Sequence, residues 1–282
     1  MARLPSTLLS FAEQSLGPCV LVTALAGGEH DERVERIRDA RGREYFAKRH
    51  PSAEKHRREV HAYRHWAPAL GACAARLVAT DPKTMAILVT ALPGNPCQGA
   101  DDVRAHRQAG AVLRLLHDAE PPRPLDGFQQ WLTTRVSWWR EQSAPLLSAG
   151  EKQAIDHHLA ALHMLGTPNG GPCHLDYQPR NWLIDQAGTL RVIDFEHARI
   201  GLQARDFARL HFRFWPSRPD LHEAFFDGYG RCLTETEQQT VCHCGAIDAL
   251  TALVRGTQTG DAAMVAHGRT TVQQLQDGRG DA

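Results

Sequence analysis

The chain has 282 residues, and its 32 lysines and arginines balance its 32 aspartates and glutamates. This neutral composition without a basic run argues against binding to nucleic acid, and no apolar stretch approaches the ~18 residues that cross a membrane. We therefore expect a soluble, cytoplasmic protein with no membrane or nucleic-acid partner, long enough to bury a sizeable core, with its seven cysteines reduced and its oligomeric state open.

A pair of glycines near the N-terminus is the first candidate for binding an anion. Gly27 and Gly28 lie between a strand-like run at residues 20–23 and another at residues 33–38. Glycines let backbone N–H groups approach a phosphate closely, as in an anion-binding nest. An ordinary turn is the alternative, because the pair is not part of a G-x-G-x-x-G motif.

The next segment completes a predicted hairpin and then predicts a helix. A strand-like run at residues 44–48 ends with Lys48. Ser52 suits the N-cap of a helix whose apolar residues recur at helical spacing. Glu59 lies beside this apolar stripe, and a helix-surface pair with Lys55 is the alternative role for its carboxylate.

A buried strand, a break and a second helix follow in the chain. Residues 85–90 are largely apolar, and proline and glycine interrupt regular structure over residues 91–96. Asp101 can cap the next helix, whose apolar stripe is followed by His117. We expect this histidine to be packed or on the surface rather than catalytic.

The most informative pattern is H-x-D-x(4)-N at residues 174–181, followed by a further aspartate, Asp194. Strand-like runs at residues 182–185 and 190–193 flank a turn and predict a short hairpin. Asn181 precedes the first strand and Asp194 follows the second, so both lie at the same end of the hairpin. For any one of these residues alone, an ordinary hairpin with polar ends is the alternative.

These residue types suit the transfer of a phosphoryl group, which needs positioning and charge neutralisation more than covalent chemistry. Asp176 can orient an acceptor hydroxyl and take its proton. Asn181 and Asp194 offer the hard oxygen ligands that Mg²⁺ prefers. We expect His174 to brace the loop by hydrogen bonds. A metal hydrolase built on the same loop would need further histidine ligands, and the sequence offers no such set.

Residues 174–210 resemble the aminoglycoside phosphotransferase and choline kinase superfamily. The I-D-F-E form around Asp194 is similar to choline and ethanolamine kinases, whereas Q-P-R-N-W-L and R-D-F-A-R-L resemble bacterial antibiotic phosphotransferases. The resemblance implies an α+β, protein-kinase-like fold with two lobes. Residues 1–92 would form a nucleotide-binding N-lobe with a small antiparallel sheet and one helix. Residues 93–282 would form a mainly helical C-lobe with the catalytic loop and acceptor site, after a hinge at about residues 90–97.

The same resemblance implies roles for residues of the N-terminal half. Lys48 would anchor the nucleotide phosphates while Glu59 holds it in place, and Glu54 is the competing helix carboxylate. Ala91 and Leu92 would lie beside the purine. In the C-terminal half, the aspartate of R-D-F-A-R-L, which is Asp206, would be structural and tie its helix to the catalytic loop.

The expected function is phosphorylation of a hydroxyl on a small, cationic molecule by ATP or GTP with Mg²⁺. The resemblance favours an antibiotic, either an aminoglycoside or a tuberactinomycin-type peptide, so that the enzyme would confer resistance. Acidic side chains would then contact the acceptor, and the candidates are Glu196, Asp220, Glu223 and Asp227.

Two alternatives stay open. The first is an amino-alcohol kinase of the choline or ethanolamine type. An aromatic cage for a quaternary ammonium could then use Trp215, Phe225 or Tyr229. The second belongs to another class, a kinase-like protein that binds a ligand without catalysis.

Overall fold

A computed structural model of the chain describes residues 7–26, 33–97 and 102–278. Its strands are β1 (Cys19–Ala26), β2 (Arg33–Asp39), β3 (Glu44–Arg49), β4 (Leu77–Asp81), β5 (Ala86–Thr90), β6 (Asn95–Pro96), β7 (Arg123–Pro124), β8 (Asn169–Cys173), β9 (Trp182–Ile184), β10 (Leu190–Val192) and β11 (Arg199–Gly201). Its helices are α1 (Thr7–Leu16), α2 (Ala53–His65), α3 (Val103–His117), α4 (Phe128–Ser143), α5 (Ala149–Met164), α6 (Arg205–Arg213), α7 (Pro219–Tyr229), α8 (Glu235–Thr259) and α9 (Ala262–Gln276). None of the helices in these described ranges combines the length and the apolarity needed to cross a membrane.

The chain divides into two compact units. The first comprises Met1–Gln98 and Pro179–Arg199, and the second comprises Gly99–Gln178 and Ile200–Ala282. The segment that contains β9 and β10 therefore groups with the N-terminal part, whereas the sequence assigned it to a C-terminal lobe. The α+β class is confirmed, because the first unit is built on antiparallel strands and the second mainly on helices.

An antiparallel sheet in the order β1-β2-β3-β5-β4 forms the frame of the first unit. Alternation along β2 buries Ile37 and Asp39 and exposes Arg38, as expected for a strand with one covered face. Helix α1 covers that face, where Leu8 and Ala12 pack in a core with Ile37. The sequence predicted one helix beside this sheet, and α1 is a second helix in addition to α2.

Helix α2 begins where the sequence predicts it. Ser52 is the N-cap, and its side-chain oxygen accepts a hydrogen bond from Lys55 N at 3.3 Å. The helix buries Glu59 together with its apolar stripe, so this carboxylate points into the unit. Strand β3 ends at Arg49, one residue beyond the predicted end at Lys48.

The predicted hairpin is confirmed as β9 and β10, which pair antiparallel. The chain that leaves β5 adds the short strand β6 to this hairpin, and Cys97 N donates to Trp182 O at 2.8 Å. Gly94 permits the close approach, because its φ is +118° and a Cβ there would lie 2.8 Å from the carbonyl carbon of Ile184. This joint explains why residues 179–199 group with the N-terminal part.

Helices dominate the second unit, beside a small sheet in the order β11-β8-β7. Helices α3 and α7 pack closely at two glycines. A Cβ at Gly110 would overlap the carbonyl oxygen of Phe225, and a Cβ at Gly228 would overlap the carbonyl oxygen of Arg107. The two helix backbones therefore touch where a side chain would separate them.

Two helices predicted in the C-terminal half are confirmed, with different limits. The run at residues 221–230 is α7, and the run at residues 246–254 is the middle of the much longer α8. The N-cap of α3 is Asp102, whose side chain accepts from Arg104 N at 2.8 Å. Asp101, the predicted cap, lies outside the described residues.

Candidate active site

A buried carboxylate fixes the loop that follows β8. Asp206, in the first turn of α6, accepts hydrogen bonds from the backbone N–H of His174 at 2.8 Å and of Leu175 at 2.5 Å. Leu175 has φ +62°, a left-handed conformation that is uncommon for a residue with a side chain. Hydrogen bonds to a carboxylate are strong enough to offset the cost of this conformation. The backbone next to Asp176 therefore depends on Asp206.

The surroundings of Asp206 keep it ionised. His117 Nε2 lies 3.1 Å from its carboxylate, and His117 Nδ1 lies 2.9 Å from the Tyr229 hydroxyl. Burial alone would raise the pKa of Asp206, but His117 and His174 hold that pKa below its ordinary value of 3.8. His117 is packed, as predicted, and His174 Nδ1 accepts a hydrogen bond from Asp176 N at 3.3 Å.

The carboxylate of Asp176 is buried and meets a cation in its own unit. Its Oδ1 accepts a hydrogen bond from Gln178 Nε2 at 2.6 Å and forms an ion pair with Arg209. Arg209 Nε donates to Asp248 Oδ1 at 2.9 Å, and Arg213 Nη2 lies 2.7 Å from Asp248 Oδ2. Negative and positive charges thus alternate along a row from the loop to α8.

This row of charges was not predicted from the sequence. Burial would raise the pKa of Asp248, but the charges of Arg209 and Arg213 hold it below its ordinary value of 3.8. A signal was present, because Asp248 is the one charged residue in the mainly apolar stretch of α8 at residues 246–254. A carboxylate on a buried helix face needs a partner.

The hairpin of the first unit carries Asn181 and Asp194 at the same end, as its predicted geometry requires. Asn181 O accepts a hydrogen bond from Ile193 N at 3.1 Å, which closes the hairpin next to Asp194. Asn181 is buried, whereas the side chain of Asp194 keeps 30% of its surface exposed. Asp194 has φ +69°, so its backbone is also held in the left-handed region.

The structure brings Lys48 and Glu59 together with Asp194. Lys48 Nζ lies 3.2 Å from Glu59 Oε2, 2.7 Å from Asp194 Oδ1 and 2.9 Å from Glu196 Oε2. Burial by itself would lower the pKa of Lys48, but these three carboxylates raise it well above its ordinary value of 10.5. Glu54, the competing carboxylate on α2, pairs instead with Arg58 on the exposed side of the helix.

Glu196 occupies a different environment from the one expected of an acceptor contact. Its Oε1 accepts a hydrogen bond from Lys55 Nζ at 2.8 Å, and its Oε2 faces Lys48. Burial opposes ionisation, yet the two lysines lower the pKa of Glu196 to about 2. Its charge is therefore already compensated inside the first unit.

The other acidic candidates lie on α7, in the second unit. Asp220 pairs with Arg218 at 2.7 Å, and Asp227 pairs with Arg107 at 2.9 Å, both at the surface. Glu223 is exposed on the same helix. The four predicted acceptor contacts are thus not gathered in one unit, and two of the three on α7 already have arginine partners.

The predicted nucleotide contacts are only partly described. Ala91 N donates to Glu44 O at 2.9 Å, so this N–H is used by the sheet. Leu92 follows as a half-buried residue. Gly27 and Gly28 lie outside the described residues.

The donor set at the hairpin fits a magnesium ion. Asn181 can present an amide oxygen and Asp194 a carboxylate oxygen, which are the hard ligands that Mg²⁺ prefers. One carboxylate oxygen of Asp194, Oδ1, faces Lys48, and the side chain as a whole is only partly buried. Waters and phosphate oxygens usually complete such a site.

The chain matches the model of the phosphotransferase enzyme family over residues 21–239. It is similar to a thermostable mutant of aminoglycoside phosphotransferase APH(4)-Ia in ternary complex with AMP-PNP and hygromycin B, at 17% identity and a TM-score of 0.71 over 98% of this chain and 99% of that one. It is also similar to aminoglycoside phosphotransferase from Alicyclobacillus acidocaldarius, at 18% identity and a TM-score of 0.62 over 99% of this chain and 96% of that one. A third similar structure is Plasmodium vivax ethanolamine kinase, at 14% identity and a TM-score of 0.66 over 90% of this chain and 80% of that one. No curated protein matches the chain by sequence.

A sheet-based unit with a buried, ion-paired lysine and a mainly helical unit that carries Asp176 are the two parts of a protein-kinase-like fold, which these solved structures share. The chain belongs to the phosphotransferase enzyme family. It is accordingly an enzyme that transfers a phosphoryl group to a hydroxyl group of a small molecule.

Proposed function

We propose that this phosphotransferase takes the γ-phosphoryl group of ATP or GTP and transfers it to a hydroxyl of a small molecule. The observation that carries the proposal is the buried ammonium of Lys48, held by Glu59 and Asp194. A lysine fixed in this way suits the binding of nucleotide phosphates. ATP is the favoured donor, because similar solved structures contain AMP-PNP or ADP.

The proposed roles follow from the chemistry of each group. Asp176 would orient the acceptor hydroxyl and receive its proton, and its buried carboxylate has the ordered surroundings that such a base needs. Lys48, set by Glu59, would hold the phosphates. Asn181 and Asp194 would bind Mg²⁺, which when bound neutralises charge on the phosphate oxygens. His174 and Asp206 would support the loop.

For the acceptor, we propose a cationic antibiotic of the aminoglycoside or tuberactinomycin type. Support comes from similar solved structures whose proteins bind hygromycin B or spectinomycin. Asp220, Glu223 and Asp227 on α7 are the remaining acidic candidates, because the carboxylate of Glu196 already faces two lysines. Binding a polycation at α7 would require Arg218 and Arg107 to give up their partners.

An amino-alcohol acceptor is the second candidate, favoured by the D-F-E form at Asp194 and by the similarity to an ethanolamine kinase. The aromatic cage expected from the sequence does not support it. Trp215, Phe225 and Tyr229 are all buried, and Trp215 packs on Phe225 with ring centroids 5.3 Å apart. A quaternary ammonium would need other aromatic residues.

Replacement of the proposed base tests the reaction. Asp176→Asn keeps the size of the side chain and removes its basicity, so we expect phosphate transfer from labelled ATP to fall by about 10²- to 10⁴-fold. Asp156→Asn is the matched control, because this aspartate lies at the surface on α5, where it pairs with Arg140, and its activity should stay at the wild-type level. Transfer that survives Asp176→Asn would contradict the assignment of the base.

A panel of acceptors tests the substrate class. Labelled ATP is offered with aminoglycosides, tuberactinomycin-type peptides, choline and ethanolamine, and nucleotide turnover is followed for each. The antibiotic proposal predicts turnover with a basic antibiotic and a raised inhibitory concentration in cells that express the protein. Turnover with an amino alcohol alone would favour the second candidate, and nucleotide binding without transfer to any acceptor would favour a non-catalytic protein.

A further inference from the structure

A second lysine shares the carboxylate that faces Lys48. Lys55 Nζ donates to Glu196 Oε1 at 2.8 Å, while Lys48 Nζ lies 2.9 Å from Glu196 Oε2. Both side chains are largely buried, with 12% exposure for Lys55 and 11% for Lys48. One carboxylate therefore holds two ammonium groups in the same part of the first unit.

The position of Lys55 on its helix is electrostatically unfavourable. It lies three residues after the N-cap Ser52, in the first turn of α2, where the helix dipole disfavours a cation. The neighbouring residue, Glu54, is the kind of side chain that a first turn favours. Glu196, 141 positions away in the sequence, compensates this cost by pairing with Lys55.

The proposed metal ligand Asp194 also faces Lys48, so a bound ion would leave Lys48 with Glu59 and Glu196 as its carboxylate partners. Glu59 has a further neighbour, because His50 Nε2 lies 2.5 Å from Glu59 Oε2. Glu196 is shared by two ammonium groups, those of Lys48 and Lys55. Two ammonium groups held side by side in this way suit an anionic ligand.

We propose that Lys55 is a second phosphate-binding lysine of the nucleotide site and that Glu196 is the residue that positions it beside Lys48. The proposal rests on the proposed nucleotide-dependent function. Glu196, the glutamate of the D-F-E sequence, would then serve as the shared counter-charge of two lysines in the first unit and would not contact the acceptor.

Nucleotide binding measured by calorimetry tests Lys55 without relying on turnover. Lys55→Met should weaken the affinity for ATP, measured without added metal, by about tenfold, because a hydrogen bond to a charged group is lost. The affinity for adenosine, which has no phosphate, should stay unchanged. Arg58→Met is the matched control, because Arg58 lies on the same helix and pairs with Glu54 at the surface, and it should leave both affinities unchanged.

Equal affinity of wild type and Lys55→Met for ATP would overturn the proposal, and so would an equal loss of ATP and adenosine binding, which would indicate a structural role alone. If Lys55→Met does not fold, Lys55→Gln gives the same comparison while keeping a hydrogen bond to Glu196. A wild-type protein that binds no ATP would instead contradict the proposed function.

A double-mutant cycle tests the role of Glu196. If this carboxylate positions Lys55, then Lys55→Met should weaken ATP binding less in a Glu196→Gln background than in the wild type. We expect the fold-change in Kd to be smaller by a factor of about three or more. In the wild-type background, Lys55→Arg should bind ATP more tightly than Lys55→Met, because arginine keeps the positive charge. Strict additivity of the two substitutions would contradict the assignment of Glu196.

Discussion

At the residue scale, the pairing of Asp176 with Arg209 has a direct bearing on catalysis. The guanidinium lies at the carboxylate oxygen that also accepts from Gln178, and Asp248 holds the guanidinium from its other side. A cation in this position favours the ionised form of an acid and restricts its direction. Arg209 is therefore a candidate for positioning the proposed base.

Removal of that guanidinium should reduce turnover more than it reduces substrate binding. For Arg209→Met we expect kcat to fall by about tenfold or more, because a small displacement of a catalytic group is costly, while KM for ATP changes little. Arg213→Met is the control, since Arg213 contacts Asp248 without contacting Asp176 in the ion pairs described. Both variants remove one partner of a nearly buried pair, so circular dichroism must first establish that each is folded.

The position of the motif residues in the fold could be predicted from sequence, whereas their catalytic and metal-binding roles stay predictions. Asp176, Asn181 and Asp194 lie within one short segment, and the hairpin between them is encoded by local turn and strand signals. The contact of Lys55 with Glu196 spans 141 positions, and no local pattern relates the two. Long-range pairs of charges of this kind have no period in the sequence, and they were missed for that reason.

At the element scale, the contact between α3 and α7 depends on the absence of two side chains. Gly110 faces the backbone of α7 at Phe225, and Gly228 faces the backbone of α3 at Arg107. Helix backbones can approach this closely only where no Cβ intervenes. The same α3 ends in His117, which supports Asp206, so the packing of these helices reaches the loop of Asp176.

Addition of one methyl group at this contact should destabilise the protein. We expect Gly110→Ala to lower the free energy of unfolding by about 1–3 kcal/mol, because the helices must separate or shift. The control is Gly150→Ala in α5, where the new Cβ would make only an ordinary contact at 3.5 Å and should be neutral or mildly stabilising. Urea unfolding followed by circular dichroism measures both, and equal stability of the two variants would contradict the prediction.

Element limits were harder to predict than element types. Strands such as β2 and helix α2 follow from alternation and from a good N-cap, which are local signals. In α8, polar residues fill both ends of the helix, at residues 235–240 and 255–259, so only its apolar middle was recognised. Packing against other helices of the second unit extends the helix beyond the part that its own sequence indicates.

At the scale of the whole molecule, the first unit is assembled from two separate pieces of the chain. Residues 179–199 contribute β9 and β10, which pair with β6 of the N-terminal piece, and Ala74 forms a bridge with Val192. The segment also supplies two of the three carboxylates around Lys48. The first 98 residues alone therefore lack part of their own core and of their charge balance.

A fragment of residues 1–98 should consequently fail to unfold cooperatively. We expect weak near-ultraviolet circular dichroism and no sharp thermal transition, because β6 loses its partner strand and Lys48 keeps only Glu59. The control is the same fragment joined to residues 179–199 by a flexible linker, which should regain a transition. A cooperative transition of the short fragment at the temperature of the full chain would contradict the prediction.

The two-part architecture was predictable, whereas the membership of the hairpin was not. The resemblance of residues 174–210 to the phosphotransferase superfamily implied the α+β class, and the strand-like runs near the N-terminus and the helical runs of the C-terminal half agree with it. A sequence-based division follows chain order, so it kept residues 179–199 with their neighbours. Backbone contacts at Gly94 and Cys97 instead connect this hairpin to the N-terminal piece. Contacts between backbones cannot be recognised from residue composition.

The divided first unit also limits how relatives of this enzyme can exchange parts by recombination. A single crossover near residue 98 would combine a sheet from one parent with a hairpin from the other. Lys48 and Lys55 would then meet carboxylates that had diverged with a different set of lysines. Functional hybrids should therefore arise mainly from double crossovers that transfer residues 179–199 together with the N-terminal piece, and a library of shuffled relatives would reveal this linkage as co-inheritance.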